Sequence, residues 1–372
     1  MRDIVFRDVR LDEVSAVGEL FHKQWRENHI FYRDPSVLLW QFYDNPYRKL
    51  FSEDLTLLGA FINNKLVGVH GYMPFVFNIL GEKKYGCHLC NWYAGEEIRK
   101  GPCAIRLRNQ VLESHFFSVC FGFDLTPPAR FIHKRCGMVI EDVFPRYIRF
   151  IDKENCYHLF KGYTGFESTI TEWYRHSKGF YFEEDTNIIA KEVETILDLP
   201  WDEFYWDRIA PLFVGPAREK QYLAWRYEKI PVFQYHYICA YKDDALSGLL
   251  VYRIEKVIGS EFKVLRIMDI LCDEESSGLL LDRVIEVGRR ENVVLADFFC
   301  TSDYYDSALA KRGFIIPKGD EPYPIPFLFR PLEPTKLSID FCWQILDPKV
   351  DIEKFRRHLY YTKADGDFDR PN

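Results

Sequence analysis

The chain has 372 residues, of which 47% are hydrophobic and 28% are charged, a composition typical of a folded globular protein. Its 49 Lys and Arg residues against 56 Asp and Glu residues give a net charge of −7, which disfavours nucleic acid as the main partner. No run of about 18 apolar residues is present, so the sequence predicts no membrane span.

The first predicted element is a strand over 4–9, and the segment around it lacks the apolar core of a signal peptide. Ten cysteines are spread along the chain instead of being clustered as in a disulfide scaffold. Cys87 and Cys90 have C-x-x-C spacing, but they face opposite sides of a strand and no second ligand pair follows, so no metal site is expected. These features favour reduced thiols and a cytoplasmic location.

Further along the chain, two stretches match each other, with an offset of 185 positions at their Trp and Pro residues and a smaller offset downstream because of small deletions. The matched landmarks of the two copies are strands 4–9 and 188–193, Trp40 and Trp225, Pro46 and Pro231, the hairpin turns 63–68 and 243–248, and the helix-ending glycines Gly137 and Gly313. Because the landmarks keep the same order, the sequence predicts an internal duplication.

The predicted order in each copy is strand, helices, a three-stranded meander, helix, strand, helix and strand, which indicates an α/β domain with a mixed sheet. We therefore predict two tandem domains at 1–152 and 186–332, joined by a connector at 153–185. A C-terminal extension follows at 333–372. Its last ten residues either close over a site or are disordered.

This order resembles the GNAT acyltransferase fold, and the duplicated form resembles tandem-GNAT N-acyltransferases over nearly the whole chain. In that family the loop Q/R-x-x-G-x-G/A after the fourth strand holds the coenzyme A pyrophosphate at a helix N-terminus. Arg99 and Ala104 fit the pattern, whereas Pro102 replaces its first glycine and removes one amide donor. The resemblance implies that acyl-coenzyme A binds to Asn91, Trp92, Tyr93, Ala94, Arg99, Lys100, Gly101, Cys103 and Ala104.

The corresponding loop of the second copy is acidic, with Asp273, Glu274 and Glu275 in succession. Three consecutive carboxylates repel a pyrophosphate. We therefore expect only the first copy to bind coenzyme A, and the second copy to shape the site of the acceptor.

Two histidines of the first copy are candidates for proton transfer. His133 lies four residues before Gly137, where the resemblance places the acid beside the leaving thiolate, and the second copy has Leu309 there. Histidine exchanges protons near neutral pH, whereas leucine cannot. His70 lies between two glycines of a strand and is the candidate base, with a purely structural strand histidine as the alternative. A dedicated base is not required by the chemistry.

The acceptor is expected between the two copies. Asp269 is a lone acid in an apolar strand, so it needs a partner: a sugar hydroxyl, an amine or an internal base such as Arg266. The predicted acceptor contacts are Asn28, His29, Tyr222, Trp225, Arg226, Asp269, Asp297 and Thr301.

Within the tandem group, the chain is most similar to N-acyltransferases that act on nucleotide-linked amino sugars, through the paired Trp/Pro segments and the tail. That resemblance implies direct attack of the amine of a dTDP-linked amino-deoxy sugar on acyl-coenzyme A, for O-antigen or other surface glycan biosynthesis. Two alternatives stay open. A FemABX-like aminoacyl transferase needs a tRNA-bound donor, which the acidic chain disfavours. A non-catalytic binding module would keep the cleft without the chemistry. The sequence leaves the oligomeric state open.

Overall fold

The computed structural model describes residues 4–99, 102–161, 171–172, 174–175, 187–317, 325–329 and 337–367. Within these ranges the chain forms two mixed β-sheets with helices packed against them. The predicted mixed α/β class is therefore confirmed. No helix within the described ranges is long and apolar enough to cross a membrane.

The first half of the chain begins with a strand and three helices before its central hairpin. Two of its helices start at aspartates, since the Asp34 and Asp152 carboxylates accept backbone N–H groups of the first turn. The elements are β1 (Ile4–Asp8), α1 (Val14–Gln24), α2 (Ile30–Arg33), α3 (Pro35–Phe42), β2 (Leu57–Ile62), β3 (Lys65–Ile79), β4 (Glu82–Ala94), α4 (Glu96–Arg99), α5 (Cys103–Glu113), β5 (Val119–Phe123), α6 (Pro127–Arg135), β6 (Val139–Glu141), β7 (Arg146–Phe150) and α7 (Lys153–Leu159).

The second half repeats this pattern and ends in a strand, a helix and a tail. The elements are β8 (Ile188–Val193), α8 (Trp201–Phe204), β9 (Val214–Pro216), α9 (Lys220–Leu223), β10 (His236–Lys242), β11 (Ala245–Lys256), β12 (Lys263–Cys272), α10 (Glu274–Arg290), β13 (Val293–Phe299), α11 (Asp306–Lys311), β14 (Phe341–Ile345) and α12 (Ile352–His358). The short helices α8 and α9 each continue into a π-helical turn, Tyr205–Ile209 and Ala224–Glu228.

The first sheet has the strand order β1-β2-β3-β4-β5-β14-β6, with β9 paired to β3. All neighbouring pairs are antiparallel except β4 and β5, which run parallel. Phe31 and Phe42 of the α1–α3 region belong to one hydrophobic cluster, and Leu107 and Val111 of α5 belong to another. The sheet is therefore sandwiched between helices, and side chains of both faces are removed from water.

The second sheet has the order β7-β13-β12-β11-β10-β8. The helix α10 connects β12 to the parallel strand β13, and its apolar face, which includes Leu280, Leu281 and Val284, is buried. A crossover helix is the usual connection between parallel strands.

The two halves exchange strands. The strand β7 pairs with β13 of the second sheet, while β14 lies between β5 and β6 of the first. Thus a strand that precedes the predicted boundary at 152 completes the second sheet, and a strand of the predicted C-terminal extension completes the first. The domain boundaries at 152, 186 and 332 therefore stay a prediction.

The duplication is visible where the halves meet. The indole N–H of Trp40 donates to the backbone oxygen of Trp225 at 2.8 Å, and the indole N–H of Trp225 donates to the oxygen of Trp40 at 2.8 Å. The two rings stack with their centroids 5.1 Å apart. Reciprocal contacts between equivalent residues are the mark of a twofold arrangement, so these tryptophans lie on a local pseudo-twofold axis.

Candidate active site

A cavity of about 270 Å³ opens where β4 and β5 separate. These strands pair only through Gly86, Cys87 and His88 of β4, although β4 continues to Ala94. Cys90 belongs to the hydrophobic cluster of the α1–α3 face, whereas Leu89 belongs to that of the α5 face. The cavity therefore reaches both faces of the sheet. Its lining residues are Trp25, Arg26, His29, His70, Leu89, Cys90, Asn91, Trp92, Phe123, Asp124, Leu125, Thr126, Ala129, His133, Leu328 and Asp367.

A β-bulge in β4 shapes the floor of this cavity. Gly71 lies opposite Cys90, but Val69 lies opposite Tyr93, so β4 carries an extra residue opposite His70. Asn91 has a φ of +51°, a conformation that asparagine tolerates better than most residues. The Gln41 side chain on α3 donates to Asn91 Oδ1 at 3.0 Å, and this hydrogen bond stabilises the bulge.

Several buried polar groups around the bulge lack a partner. Among the described residues, the atoms of this kind near Asn91 are Gln41 Oε1, His70 Nδ1, Asn91 Nδ2 and Trp92 Nε1. A buried polar group without a hydrogen bond costs about 1–3 kcal/mol, so such groups are seldom left together in a folded protein. Their clustering indicates a place where a polar ligand completes the hydrogen bonding.

The rings of His70 and His133 both contact the Trp92 ring. The centroid distances to Trp92 are 5.3 Å for His70 and 5.1 Å for His133. Burial, with the Arg108 charge nearby, lowers the pKa of His133 to about 3. Burial also lowers the pKa of His70 well below its usual value, and the charges of His133 and Arg108 act in the same direction. Both rings are therefore neutral at pH 7.

A neutral ring differs from the histidine that exchanges its proton near neutral pH, and the acid role of His133 stays a prediction. Arg108 Nε donates to His133 Nδ1 at 3.3 Å, which leaves the ring hydrogen on Nε2. His133 can therefore act as a neutral hydrogen-bond donor rather than as an imidazolium. His70 lines the cavity, but its lowered pKa makes the ring a weak base, and the base role stays a prediction.

The predicted pyrophosphate loop follows the end of β4. Arg99 Nε donates to the Ala94 oxygen at 3.1 Å, and Arg99 Nη2 lies 3.4 Å from the Tyr93 hydroxyl. The helix α5 starts at Cys103 behind Pro102, and among the described residues no side chain caps it. Its first N–H groups are thus left for an anion. The predicted residues Lys100 and Gly101 lie outside the described residues, while Ala104 is buried in the first turn.

The equivalent helix of the second copy has no such opening. The Asp273 carboxylate caps α10 by accepting the Ser276 N–H, and Glu274 and Glu275 occupy its first turn. This arrangement satisfies the helix N-terminus from within the protein and places negative charge beside it.

The separation between β12 and β13 is filled by tyrosines. Gly248 pairs with Cys272 as Gly68 pairs with Ala94, so Ile270 is the counterpart of Trp92. The Tyr360 hydroxyl accepts the Ile270 N–H at 3.0 Å and lies 2.9 Å from the Ile270 oxygen. The Tyr305 hydroxyl contacts the Cys272 nitrogen and oxygen at 3.2 and 3.1 Å. The backbone edge that borders the cavity in the first copy is thus covered in the second.

The predicted acceptor residues are mostly not brought to the cavity. His29 lines it, with its Nδ1 accepting the Phe31 N–H. Asn28 directly precedes His29 and has a positive φ, but it is not among the residues that line the cavity. The other six are engaged inside the protein: Tyr222 with Asp365, Trp225 with Trp40, Arg226 with the Gly366 oxygen, Asp269 with Arg218, Asp297 with Arg146, and Thr301 with the Leu359 oxygen. Each of these six already has a hydrogen-bond partner inside the protein, and direct contact with an acceptor stays a prediction for them.

The cavity also contains residues that sequence reasoning missed. Trp25, Arg26 and Phe123 bring aromatic and cationic surface to it, and Asp124 and Asp367 bring carboxylates. Asp124 directly follows β5, and a polar residue directly after a strand was a usable signal. Asp367 gave no local signal, because its place depends on how the tail crosses from one half to the other.

No family model matches the chain, and no curated protein matches it in sequence. Solved structures match it in fold. A GCN5-related N-acetyltransferase from Anabaena variabilis is 11% identical, with a TM-score of 0.55 over 95% of this chain and 74% of that chain. A probable N-acyltransferase from Enterococcus faecalis is 14% identical, with a TM-score of 0.56 and the same coverage. The N-myristoyltransferase of Saccharomyces cerevisiae, solved with bound myristoyl-CoA, is 10% identical, with a TM-score of 0.51 over 96% of this chain and 89% of that chain. At such identities the likeness defines the fold class alone: this chain has a GNAT-like fold in tandem.

Proposed function

We propose that the protein is an acyl-CoA-dependent N-acyltransferase whose donor site is the separation between β4 and β5. The observation that carries this proposal is the asymmetry between the two copies. The first copy keeps a cavity with unpartnered polar atoms at the bulge, whereas Tyr360 and Tyr305 cover the same edge in the second. The structural neighbours include an N-acetyltransferase and an N-myristoyltransferase solved with bound myristoyl-CoA, which supports an acyl thioester as the donor.

The thioester would lie against Asn91, Trp92, Tyr93 and Ala94, with the pyrophosphate near Arg99 and the start of α5. Binding both substrates in one cavity lets the amine attack the thioester carbonyl directly, and holding the reacting atoms together supplies much of the rate. His133 would donate its Nε2 hydrogen bond to the sulfur as negative charge develops there. His70 would serve as a polar wall rather than as a strong base.

The acceptor is proposed to be a nucleotide-linked, dTDP-type amino-deoxy sugar, for surface glycan biosynthesis. Trp25, Trp92 and Phe123 line the cavity and offer ring faces to a sugar or a base, and two carboxylates offer partners to an amine. A second candidate function is a module that binds the donor without transferring its acyl group. The neutral state of His70 and His133 favours this alternative. Turnover distinguishes the two functions.

The first test is calorimetry with coenzyme A, together with two charge-reversal variants. We expect one binding site per chain, and we expect Arg99→Glu to weaken binding about tenfold or more, since a repulsive charge replaces an attractive one. Glu275→Arg is the matched control in the second copy and should change the affinity less than about twofold. Two sites per chain would contradict the asymmetry. Absence of binding, or equal effects of the two variants, would contradict the donor site.

A second test addresses His133. Replacing it with alanine should lower kcat about tenfold to a hundredfold with little change in KM, because the hydrogen bond to sulfur strengthens only as charge develops. Steady-state kinetics with acetyl-CoA measures this, with coenzyme A affinity as the check that the donor site is intact. His133→Gln, which keeps a donor group, should recover part of the loss. A kcat equal to that of the unmodified protein would remove His133 from the mechanism.

A further inference from the structure

The tail of the second half crosses into the cavity of the first. Tyr360 fills the separation between β12 and β13, and seven residues later Asp367 lines the cavity between β4 and β5. The tail also covers the ring of Phe123, since a side chain at Gly366 would collide with it. One continuous segment therefore closes the second copy and forms part of the wall of the first.

This segment is held by buried ion pairs and hydrogen bonds. Arg218 is 1% exposed, and it donates to Asp365 Oδ2 at 2.8 Å. The Tyr222 hydroxyl donates to the other oxygen of Asp365 at 3.1 Å. One residue further on, Arg226 Nη2 donates to the Gly366 oxygen at 3.0 Å. Two residues that sequence reasoning assigned to the acceptor, Tyr222 and Arg226, thus act on the segment that carries Asp367.

The Asp367 carboxylate faces a buried imidazole. His88 Nε2 is buried without a hydrogen bond, and Asp367 Oδ1 lies 3.6 Å from it. His88 Nδ1 lies 2.7 Å from the Tyr361 hydroxyl, so the ring is oriented by the same tail. The Asp367 side chain keeps 16% of its surface exposed. It is therefore positioned but still open to the cavity.

We infer that Asp367 is the group that binds the ammonium form of the acceptor and accepts its proton, with His88 and Arg226 as positioning residues. This inference rests on the proposed function. Amines of this kind are largely protonated at neutral pH, and an ammonium cannot attack. The cavity is lined by two carboxylates, Asp124 and Asp367, and Asp367 is the one placed there by buried anchors from both halves.

The step balances as follows. The ammonium gives one proton to the Asp367 carboxylate, and its nitrogen lone pair then attacks the thioester carbonyl carbon. The C–N bond forms and the C–S bond breaks, with the electron pair leaving on sulfur. The nitrogen loses its second proton and the thiolate gains one, so amide, free coenzyme A thiol and one net proton are formed. The charged or titratable groups around Asp367 are Arg26, His29, His70, His88, Asp124, His133 and Tyr361.

Binding is tested first, because it needs no turnover. The probes are dTDP-3-amino-3,6-dideoxygalactose and dTDP-6-deoxygalactose, which carry an amine and a hydroxyl at the same carbon. At pH 7 the unmodified protein should bind the amine at least about tenfold more tightly, as expected for a charge-assisted hydrogen bond. Asp367→Asn should remove this preference and leave coenzyme A affinity unchanged. Glu353→Gln, which removes one negative charge from the exposed surface of α12, should keep the preference.

The pH dependence of acetyl transfer gives a second measurement. With Asp367 as the proton acceptor, kcat/KM of the unmodified protein should be flat between pH 6 and 8. For Asp367→Asn it should rise about tenfold per pH unit below the pKa of the amine, because only amine that is already neutral can react. The inference would be wrong if the unmodified protein bound the two sugars equally, or if Asp124→Asn lost the preference instead of Asp367→Asn. Either result would leave the proposed function intact. Binding of neither sugar would overturn the proposed acceptor class, and this inference with it.

Discussion

Replacement of Arg218 with methionine is expected to destabilise the protein by about 3–5 kcal/mol, the usual cost of breaking a buried ion pair from one side. Arg218 Nε donates to Asp269 Oδ2 at 3.0 Å, and the same guanidinium pairs with Asp365. The side chains of Arg218, Asp269 and Asp365 are at most 1% exposed. Methionine fills a similar volume but leaves two buried carboxylates without a counter-charge.

Urea-induced unfolding measures this effect, and Arg290→Met is the matched control. Arg290 makes a bidentate contact with Glu192, but its side chain is 52% exposed, so its removal should cost less than about 1 kcal/mol. A change below about 1 kcal/mol for Arg218→Met would show that the network is not needed for stability. Because Arg218 also holds the tail, its loss should weaken the preference for amine-bearing acceptors as well.

The duplication and the mixed α/β class followed from the sequence because they rest on features repeated along the chain. Trp40 and Trp225 mark equivalent positions, and the structure brings them into reciprocal contact. The sequence also singled out His70, Trp92 and His133 one by one, and all three line the cavity, although their roles in binding or catalysis stay a prediction. Local order along the chain was sufficient for these predictions.

The buried acids could not be assigned in the same way. A carboxylate in an apolar strand signals that a partner exists, but the sequence does not show which one. Asp269 is paired with a residue 51 positions away and Asp297 with one 151 positions away. The exchange of β7 and β14 between the sheets could not be predicted either, because the residues of a strand do not specify which strand pairs with it. The position of Asp367 in the cavity depends both on the pairing of the buried acids and on the exchange of strands.

Loss of stability in mild acid is the second large effect expected from the structure. The pKa of His133 is lowered to about 3 in the folded protein, while an unfolded histidine titrates near 6.5. Below pH 6.5 the histidine binds a proton in the unfolded chain but not in the folded protein. The contribution of this group to the free energy of unfolding is therefore fully present above pH 6.5 and is lost as the pH falls. At pH 5 this one group contributes a loss of about 2 kcal/mol, and the lowered pKa of His70 adds to it.

Unfolding by urea at pH 7 and pH 5 measures the loss, and two histidine variants separate its sources. His133→Gln keeps an oxygen that can accept from Arg108 but removes the titration, so the difference between the two pH values should shrink by about 2 kcal/mol. His158→Gln, on the exposed part of α7, should leave the difference unchanged. An unchanged difference in His133→Gln would mean that the ring is protonated in the folded state at pH 5. It would then act as a cationic acid after all, and the neutral hydrogen-bond donor proposed for the leaving sulfur would have to be abandoned.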